Sequence, residues 1–412
     1  MRRRGGDAPP CGESVTRTAR LPEAGAPQRT RAFGAIAELA PAEWNALAGD
    51  AQPFLCHEFL AALEESGCVA PQSGWTPQHL VAFDRQGRAI GAMPLYRKDH
   101  SRGEFVFDFA WANAYQQHGE RYYPKLLCAV PFTPVQGARL LIAPGGFAAQ
   151  IAQALIEAAR EMLRAAHLSS WHVLFAQDLD LAALRAAGLI VRRDCQFHWH
   201  NRGYQSFDAF LATFTAEKRK KAKRERRRVA DAGITFETRH GGQIGAPLWQ
   251  TLYEFYADTF YRHGHEPYLS LPFFLRIDAT MPDRLMLKIA LKGGAPIAVA
   301  IFFVGADALY GRYWGAGGDY HSLHFETCYY QGIEYCIERG LARFEPGTQG
   351  EHKVPRGFEP ALTHSAHDIV DARFAAAIRD FAARETLGVE RYAAAVNAHL
   401  PYHRERGEEF TL

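Results

Sequence analysis

The chain has 412 residues, with 47 Lys and Arg against 45 Asp and Glu, 48% hydrophobic residues, 22% charged residues and a net charge of +2. These ordinary values predict two or three globular domains and exclude a uniformly basic protein that coats nucleic acid. The charge is uneven, because residues 217–228 carry +7 and residues 1–31 carry +4, which leaves −9 on the remainder.

The termini and the cysteines predict a reduced, cytoplasmic protein. Residues 1–31 are predicted to be a disordered leader, because they are rich in Gly, Pro and Ala and lack the apolar stretch of a secretory signal. The longest apolar run, residues 296–306, is too short to span a bilayer. The seven cysteines are scattered without a C-x-x-C pair, which argues against a disulfide framework or a zinc knuckle. No metal site is predicted, because the H-x-x-H of His321 and His324 lacks a third ligand with suitable spacing.

The order of predicted elements repeats in the second half of the chain. A β-hairpin is predicted at residues 80–96, where two apolar runs flank a polar turn, and another at residues 287–303. Each is followed by a strand (105–109 and 308–314), an amphipathic helix and a further strand (171–176 and 341–345). The first helix carries Ile151, Leu155, Ala158 and Met162, and the second has an apolar stripe from Phe325 to Ile337. Two tandem copies of one α+β unit are the simplest explanation, and a chance recurrence of hairpins is the alternative.

These repeats divide the chain into the leader, a first unit over residues 32–195, a second unit over residues 196–400 and a tail over residues 401–412. The first unit carries an insertion at about residues 99–140 that is rich in aromatic residues and proline. Such an insertion is too long for a bare loop and predicts a lid or a pocket wall. Around the basic segment we predict a strand at 196–200, a short helix at 207–214 and an aromatic-rich helix at 248–262.

The basic segment predicts one helix over residues 216–231, because it contains neither Gly nor Pro. Lys218, Arg219 and the cations after them surround nearly the whole helix, which leaves only Ala222 and Val229 as an apolar stripe and argues against a membrane-surface helix. We interpret the segment as a binding site for a phosphate-rich partner such as tRNA, another polyanion or the pyrophosphate of a donor. The alternative is a solvated helix whose charge is offset by the acidic remainder.

A glycine motif, Arg312-x-x-Gly315-x-Gly317, lies at the end of a predicted strand and shortly before a helix. Glycines in this position let backbone N–H groups face an anion, and the N-terminus of the helix adds partial positive charge. A pyrophosphate is the natural ligand of such a loop, although glycine-rich strand exits are frequent.

The order of these elements resembles that of the GNAT acyltransferase core, which consists of a hairpin, a strand, an R-x-x-G-x-G loop, a helix and a further strand. Two such units separated by a basic helix resemble the FemAB-like branch, and residues 344–358 fit its ending of a strand, glycines and K-x-x-[FR]-G. The resemblance covers residues 45–400 and is closest to bacterial peptidoglycan biosynthesis/recognition proteins. It implies an α+β fold of two tandem GNAT-like units, with mixed, mostly antiparallel sheets flanked by helices. Seven residues separate the glycine loop from its helix, more than is usual in a GNAT protein, so no tightly bound cofactor is expected and acyl-CoA remains a possible co-substrate.

The resemblance also implies the roles of a transferase site. An amine that attacks an acyl carbonyl needs a base, a partner for the oxyanion and cations for the phosphates of the leaving group. Glu345 ends a strand and His352 lies in the loop after it, where the splayed strands of a GNAT fold open a cleft. We predict one of these two as the base, His324 as a further candidate base, and Glu326 as a residue that orients the reacting groups.

Two cations beside these candidates, Lys353 and Arg356, are predicted to hold the donor's phosphates together with Arg312. The alternative is that they pair with Glu351 and Glu359 at the surface. The aromatic side chains of Trp111, Tyr123 and Tyr268 are predicted to line a pocket for the acceptor, and the alternative is that they belong to the core.

The sequence therefore predicts an acyl- or aminoacyl-transferase that moves an acyl group from acyl-CoA or aminoacyl-tRNA to an amine, such as that of a cell-wall precursor. The attack is predicted to be direct, because no cysteine or serine lies in a recognisable nucleophile motif. A hypothesis from another class is a non-catalytic module that binds a cell-wall precursor or RNA on a degenerate GNAT fold.

Overall fold

The computed structural model describes residues 25–348 and 350–403, which form two β-sheets and the helices packed on them. The strands are β1 (Arg29–Phe33), β2 (Trp75–Pro77), β3 (His79–Phe83), β4 (Ala89–Met93), β5 (Leu95–Lys98), β6 (Lys125–Cys128), β7 (Leu141–Ile142), β8 (Ser170–Leu174), β9 (Ile190–His200), β10 (Ile234–His240), β11 (Leu285–Lys292), β12 (Ala295–Val304), β13 (Ala308–Ala316), β14 (Arg343–Glu345) and β15 (Glu359–Ile369).

The α-helices are α1 (Pro41–Ala48), α2 (His57–Glu65), α3 (Phe109–Gln117), α4 (Ala148–Ala165), α5 (Asp178–Ala186), α6 (Phe207–Ala212), α7 (Ala216–Asp231), α8 (Ala246–Arg262), α9 (Leu271–Thr280), α10 (Leu323–Phe325), α11 (Gln331–Arg339) and α12 (Ala372–Asn397). A π-helix (Glu326–Tyr330) joins α10 to α11, and 3-10 turns lie at Ile36–Glu38, Pro53–Leu55, Pro71–Ser73, Pro282–Arg284 and Glu351–Arg356. None of the described helices is both long and apolar enough to cross a membrane.

The larger sheet joins both halves of the chain. Its eleven strands follow the order β10-β11-β12-β13-β14-β9-β15-β8-β6-β5-β2, and the smaller sheet follows β1-β3-β4-β7. Strand β15, from the end of the chain, lies between β9 and β8 and pairs with both. Among the described strands, only β13–β14 and β6–β8 run parallel, so the sheets are mixed and mostly antiparallel as predicted. The predicted boundary between the units, at residues 195 and 196, falls inside β9.

The core also crosses from one half to the other. Phe54, which follows α1, packs against Phe303 of β12 and Tyr310 of β13, with ring centroids 5.2 and 5.1 Å apart. These three side chains belong to one buried apolar cluster that also contains much of α2, α8 and α9. Burial of so many aromatic rings stabilises the contact between the halves, and that contact encloses the cavities described below.

Both predicted hairpins are present, as β3–β4 and β11–β12, and the predicted basic helix has the bounds of α7. The predicted strand at 105–109 is wrong. The strand that follows the first hairpin is β5. Residues 105–109 do not form a strand, because Phe105 adopts a left-handed φ of 61°, outside the β region, and α3 begins at Phe109.

The termini correct one further expectation. The predicted leader is too long, because β1 begins at Arg29 and pairs with β3, while residues 1–24 lie outside the described part. In the predicted tail, the backbone oxygen of Pro401 accepts a hydrogen bond from the N–H of Thr215, and residues 404–412 lie outside the described part.

Candidate active site

A cleft opens where β13 and β14 separate. The two parallel strands pair at Leu309 with Phe344 and at Tyr310 with Glu345, after which β14 ends and β13 continues to Ala316. On its other edge β13 carries a β-bulge at Arg312, where the register with β12 changes from Tyr313 opposite Ile301 to Gly311 opposite Phe302. A bulge re-aims the side chain that it carries.

Glu345 faces the largest described cavity, which has a volume of about 520 Å³ and is walled by both halves of the chain. Its side chain is 5% exposed, and its Oε1 accepts a hydrogen bond of 2.8 Å from Arg343 Nε. Its Oε2 has no hydrogen-bond partner among the described residues and lies 3.9 Å from His198 Nε2. Burial raises the pKa of Glu345, while the nearby guanidinium of Arg343 acts in the opposite direction.

His198 provides a neutral neighbour for this carboxylate. Burial lowers the pKa of His198 to about 3, so the imidazole stays uncharged near neutral pH. An uncharged imidazole does not neutralise Glu345, and the Oε2 of this carboxylate is buried beside the cavity without a hydrogen-bond donor among the described residues. The remaining wall of the cavity is polar and comes largely from the first half, with amide side chains at Gln52, Gln136 and Gln177.

Two cations near the end of β14, Arg312 and Lys353, have little compensation, and the charge of Arg312 acts to lower the pKa of Glu345. Arg312 donates from Nη2 to the backbone oxygen of Phe132 at 2.8 Å, and its Nε has no acceptor among the described residues. Lys353 is 2% exposed and donates from Nζ to the backbone oxygen of Gly347 at 2.6 Å. Burial, reinforced by Arg312, lowers the pKa of Lys353 to about 7. A pair of buried donors of this kind stabilises negative charge that develops in a reaction.

The alternative pairing of Lys353 with Glu351 does not occur, since Glu351 accepts a hydrogen bond from the hydroxyl of Tyr392 instead. Phe132, in the insertion of the first unit, accepts the hydrogen bond from Arg312, and Gln136 of the same insertion lines the cavity of Glu345.

A smaller cavity of about 140 Å³ is lined by Arg312, His324 and Tyr329. Tyr329 packs in the same apolar cluster as Phe344, whose side chain alternates with that of Glu345 along β14, so Tyr329 lies on the face of the strands opposite Glu345. His352 Nε2 lies 2.7 Å from the hydroxyl of Tyr329. Burial, with the nearby cations, lowers the pKa of both His324 and His352, which leaves them neutral. The predicted bases are therefore divided, with Glu345 on one face and the two histidines on the other.

Arg356 and Glu326 do not reach the cleft, which corrects their predicted roles. Arg356 stacks on the ring of Phe325 at 3.4 Å and donates to Glu225 of α7 at 2.8 Å. Glu326 accepts hydrogen bonds from Arg226 of α7. Both charges are satisfied by the inner face of α7, so they fasten this helix to the π-helix and to the turn that carries His352.

Gly315 and Gly317 serve packing rather than an open anion cradle. A Cβ atom on Gly315 would lie 2.2 Å from the carbonyl carbon of Phe255, so α8 packs directly on the backbone of β13 at this point. The N–H of Gly317 donates to the backbone oxygen of Ile297 at 2.9 Å. This N–H is therefore not free to bind a phosphate.

The outward face of α7 carries more positive charge than the two cations singled out from the sequence. Lys218 and Arg219 are half-buried, whereas six other cations are exposed: Lys220, Lys221, Lys223, Arg224, Arg227 and Arg228. Lys223 pairs with Asp208 at 2.9 Å, and Arg228 Nη1 lies 3.4 Å from His321 Nε2. The other four (Lys220, Lys221, Arg224 and Arg227) form no ion pair or side-chain hydrogen bond with a described residue.

The three aromatic residues predicted for one acceptor pocket lie apart. Trp111 is buried against His367, with ring centroids 4.9 Å apart, and Tyr123 bonds to the hydroxyl of Ser101 at 2.7 Å. Tyr268 lines a separate cavity of about 440 Å³. Trp111 and Tyr123 therefore belong to the core. No group of three or more His, Cys, Asp or Glu in the described residues is arranged to hold a metal ion.

Sequence reasoning missed His198, Arg343 and the three glutamines. The alternation of Gln196, His198 and His200 along β9 indicated one polar face, but nothing local indicated that this face meets β14. The glutamines of the first half enter the cavity only through the contact between the halves.

The profile of the FemAB-like family, described as peptidoglycan biosynthesis/recognition, matches residues 35–404. The structure resembles the C-terminal domain of a protein named as a lysylphosphatidylglycerol synthetase from Agrobacterium fabrum, with 12% identity and a TM-score of 0.51 over 84% of this chain and 96% of that one. It also resembles FemX, with 12% identity and a TM-score of 0.50 over 83% of this chain and 98% of FemX. A tandem GNAT protein of clavulanic acid biosynthesis aligns with 14% identity and a TM-score of 0.45, over 83% and 98% of the two chains. No protein of curated function matches the sequence. The predicted α+β fold of tandem GNAT-like units is confirmed.

Proposed function

Because the chain belongs to the FemAB-like family of peptidoglycan biosynthesis/recognition proteins, we propose that it transfers an acyl or aminoacyl group to an amine acceptor. The observation that carries this proposal is the buried carboxylate of Glu345, whose Oε2 lacks a partner at the wall of a 520 Å³ cavity. The proposed donors are acyl-CoA and aminoacyl-tRNA, and the proposed acceptor is an amine of a cell-wall precursor. Both donors are made in the cytoplasm, which is where we place the reaction.

In the proposed reaction the acceptor amine lies in the larger cavity and attacks the carbonyl carbon of the donor. A C–N bond forms, and Glu345 Oε2 takes the proton that the amine loses. The C–S bond of a thioester or the C–O bond of an aminoacyl ester then breaks, and the proton passes to the leaving sulfur or oxygen. The raised pKa of Glu345 suits a group that must both accept and return a proton near neutral pH.

Lys353 and Arg312 are proposed to stabilise the negative charge that forms on the carbonyl oxygen. Lys353 is buried, and Arg312 is half-buried with a buried Nε. Neither the Nζ of Lys353 nor the Nε of Arg312 has a carboxylate bonded to it among the described residues. Charge stabilisation by groups that are already desolvated and fixed is a large catalytic term.

The outward face of α7 is proposed to bind the phosphates of the donor. The four cations without partners lie on a helix whose inner face bonds to the turn carrying His352, so a polyanion on α7 would lie on the side of the strands that carries His324 and His352. Their attraction for phosphate falls steeply with salt.

The test measures transfer of label from radioactive acetyl-CoA, and separately from charged tRNA, to soluble cell-wall precursors. Glu345→Gln keeps the size of the side chain and removes the proton acceptor, so kcat is expected to fall by about 10²- to 10⁴-fold with little change in KM. Glu338→Gln, at an exposed glutamate of α11, is the matched control and is expected to retain activity.

Undiminished activity in Glu345→Gln contradicts the assignment of the base. If the wild-type protein binds a precursor or RNA in calorimetry and transfers label from neither donor, the non-catalytic binding module replaces the transferase. Binding of coenzyme A at micromolar concentration would favour acyl-CoA as donor, and binding of charged tRNA alone would favour the aminoacyl ester.

A further inference from the structure

A second cavity, of about 440 Å³, lies at the junction of the two halves and is separate from the transferase site. One wall comes from β2 and the chain after β5, with Trp75, His100 and Arg102, and the opposite wall from residues 264–268, which follow α8. Phe132 stands between the two sites, because its ring lines this cavity while its backbone oxygen bonds to Arg312.

Behind this wall lies a buried lysine without a counter-ion. Lys98 is fully buried, and its Nζ lies 3.8 Å from the centroid of the Trp75 ring. Its hydrogen-bond partners are the backbone oxygen of Arg102 at 3.3 Å and His100 Nδ1 at 3.4 Å, both long contacts. No carboxylate among the described residues lies within 4.0 Å of it. A buried cation with such weak compensation is costly, and an anion nearby would offset that cost.

The wall formed by β2 and the chain after β5 also carries a positive charge. Arg102 is exposed there and forms no ion pair with any described residue. His100 is a neutral Nε2–H tautomer, since its Nδ1 accepts from the N–H of Arg102 at 3.2 Å while its Nε2 donates to the backbone oxygen of Ser73 at 3.0 Å. Glu266 is the one acidic residue that lines the cavity in the described part, and it is exposed at the opposite wall.

Aromatic side chains complete the site. Trp75 is fully buried, lines the cavity, and has an indole N–H without an acceptor among the described residues. Phe132 and Tyr268 stack with centroids 5.1 Å apart and an interplanar angle of 15°. Phe132 holds a left-handed φ of 56°, a conformation that a bulky residue keeps only where its surroundings fix it. A buried N–H without an acceptor next to aromatic surface suits a flat ligand that carries a hydrogen-bond acceptor.

We propose that this cavity binds a small organic anion, a phosphate or a carboxylate attached to a flat ring. The ring packs against the aromatic walls formed by Trp75, Phe132 and Tyr268. The anionic group lies near Arg102, where the positive charge of Lys98 also attracts it. This site does not depend on the proposed transfer reaction, because Phe132 is the one described residue that it shares with the transferase site and no residue lines both this cavity and the cavity of Glu345.

Anion binding has a second consequence that can be measured. Burial lowers the pKa of Lys98 to about 7, with Lys125 and Arg102 acting in the same direction and Glu104 and Asp99 against them. A bound anion favours the charged form of Lys98 and raises its pKa, so the complex takes up protons near pH 7.5. His100, whose pKa is also lowered, adds to this uptake if the anion draws a proton onto it.

The experiment titrates the full-length protein by calorimetry with phenyl phosphate, benzoate, phenol and inorganic phosphate, in two buffers of different ionisation enthalpy. Phenyl phosphate or benzoate, or both, are expected to bind at least tenfold more tightly than either phenol or inorganic phosphate. This binding is expected to be accompanied by proton uptake. The tighter of phenyl phosphate and benzoate identifies the anionic group. Arg102→Gln is expected to weaken that binding about tenfold, and Trp75→Phe, which keeps the ring and removes the N–H, about threefold.

Arg97→Gln is the matched control, because Arg97 lies on the same strand as Lys98 with its side chain exposed, and it should bind as the wild type does. Glu345→Gln should also retain this binding, which separates a failure here from a failure of the transferase proposal. The inference would be overturned if phenol bound as tightly as phenyl phosphate and benzoate, if inorganic phosphate bound as tightly as they do, or if none of these compounds bound. Lys98→Met should bind the anion with less proton uptake, which leaves only the part due to His100, and an unchanged uptake in that variant would also overturn the inference.

Discussion

Gly315→Ala is the sharpest test of why the glycines of β13 are there. The added Cβ would lie 2.2 Å from the carbonyl carbon, 2.3 Å from the oxygen of Phe255 and 2.4 Å from the nitrogen of Tyr256. These are backbone atoms of α8, which cannot rotate away, so α8 must move off the sheet. Overpacking of a core costs about 1–3 kcal/mol, and a clash with fixed backbone belongs at or above the upper end.

Two neighbouring glycines grade the effect. A Cβ on Gly317 would meet the ring edge of Phe255 at 2.8 Å, and that side chain can shift, so Gly317→Ala is expected to cost about 1 kcal/mol. A Cβ on Gly318 would meet its nearest atom at 3.5 Å, which is ordinary contact, so Gly318→Ala is expected to change stability by less than about 0.5 kcal/mol.

The assay is urea unfolding followed by tryptophan fluorescence, with coenzyme A binding measured separately in the folded variants. The unfolding midpoints should fall in the order Gly318→Ala, Gly317→Ala, Gly315→Ala, with the last the least stable. If Gly315→Ala is as stable as Gly318→Ala and loses coenzyme A binding instead, the packing explanation is refuted and the phosphate-loop interpretation is restored.

Three further predictions follow from buried or exposed charge. Glu225→Ala leaves the buried Arg356 without its partner and should lower the free energy of unfolding in urea by about 3–5 kcal/mol. Asp208→Ala breaks an exposed pair and should leave the unfolding midpoint unchanged. Equal effects of the two variants would contradict the role of the inner face of α7. The pKa of Lys98 falls from 10.5 to about 7 on folding, so the unfolded chain binds more protons than the folded chain between these two pH values, and stability should rise with pH over that range. Lys98→Met should reduce this rise in the free energy of unfolding. A pH profile identical to that of the wild type would contradict the lowered pKa of Lys98. The four exposed cations of α7 without partners can be exchanged together for glutamine. This exchange should reduce the magnitude of the slope of log K against log salt for binding of an RNA hairpin by about 3, whereas the same exchange of four exposed arginines on α12 (Arg373, Arg379, Arg384 and Arg391) should not. An unchanged slope in the α7 variant would exclude α7 as the phosphate-binding face.

Local patterns determined the regular elements of this protein. The hairpins at β3–β4 and β11–β12 follow from apolar runs around short polar turns, and α7 follows from an unbroken run of helix formers. The strand predicted at 105–109 failed because the left-handed backbone of Phe105 depends on distant packing and leaves no periodic signal.

Of the candidate site, the sequence placed Glu345 and Lys353 correctly at the end of a strand and in the loop after it. It assigned Arg356 to an anion clamp, although this side chain pairs with Glu225, which lies 131 positions earlier. Exposure and pairing are properties of surfaces that come together, and the order of residues along a chain does not state which surfaces these are.

By itself, then, the sequence determined the repeat of α+β units, the basic helix and the presence of a carboxylate and a lysine after one strand, because each is a short-range pattern. Only the tertiary structure decided which charges remain without partners. The placement of β15 between β9 and β8 joins the halves into one sheet, and glutamines of the first half line the same cavity as Glu345. On α7 the inner cation Arg226 pairs with the buried Glu326, Glu225 pairs with Arg356, and the outer cations face solvent.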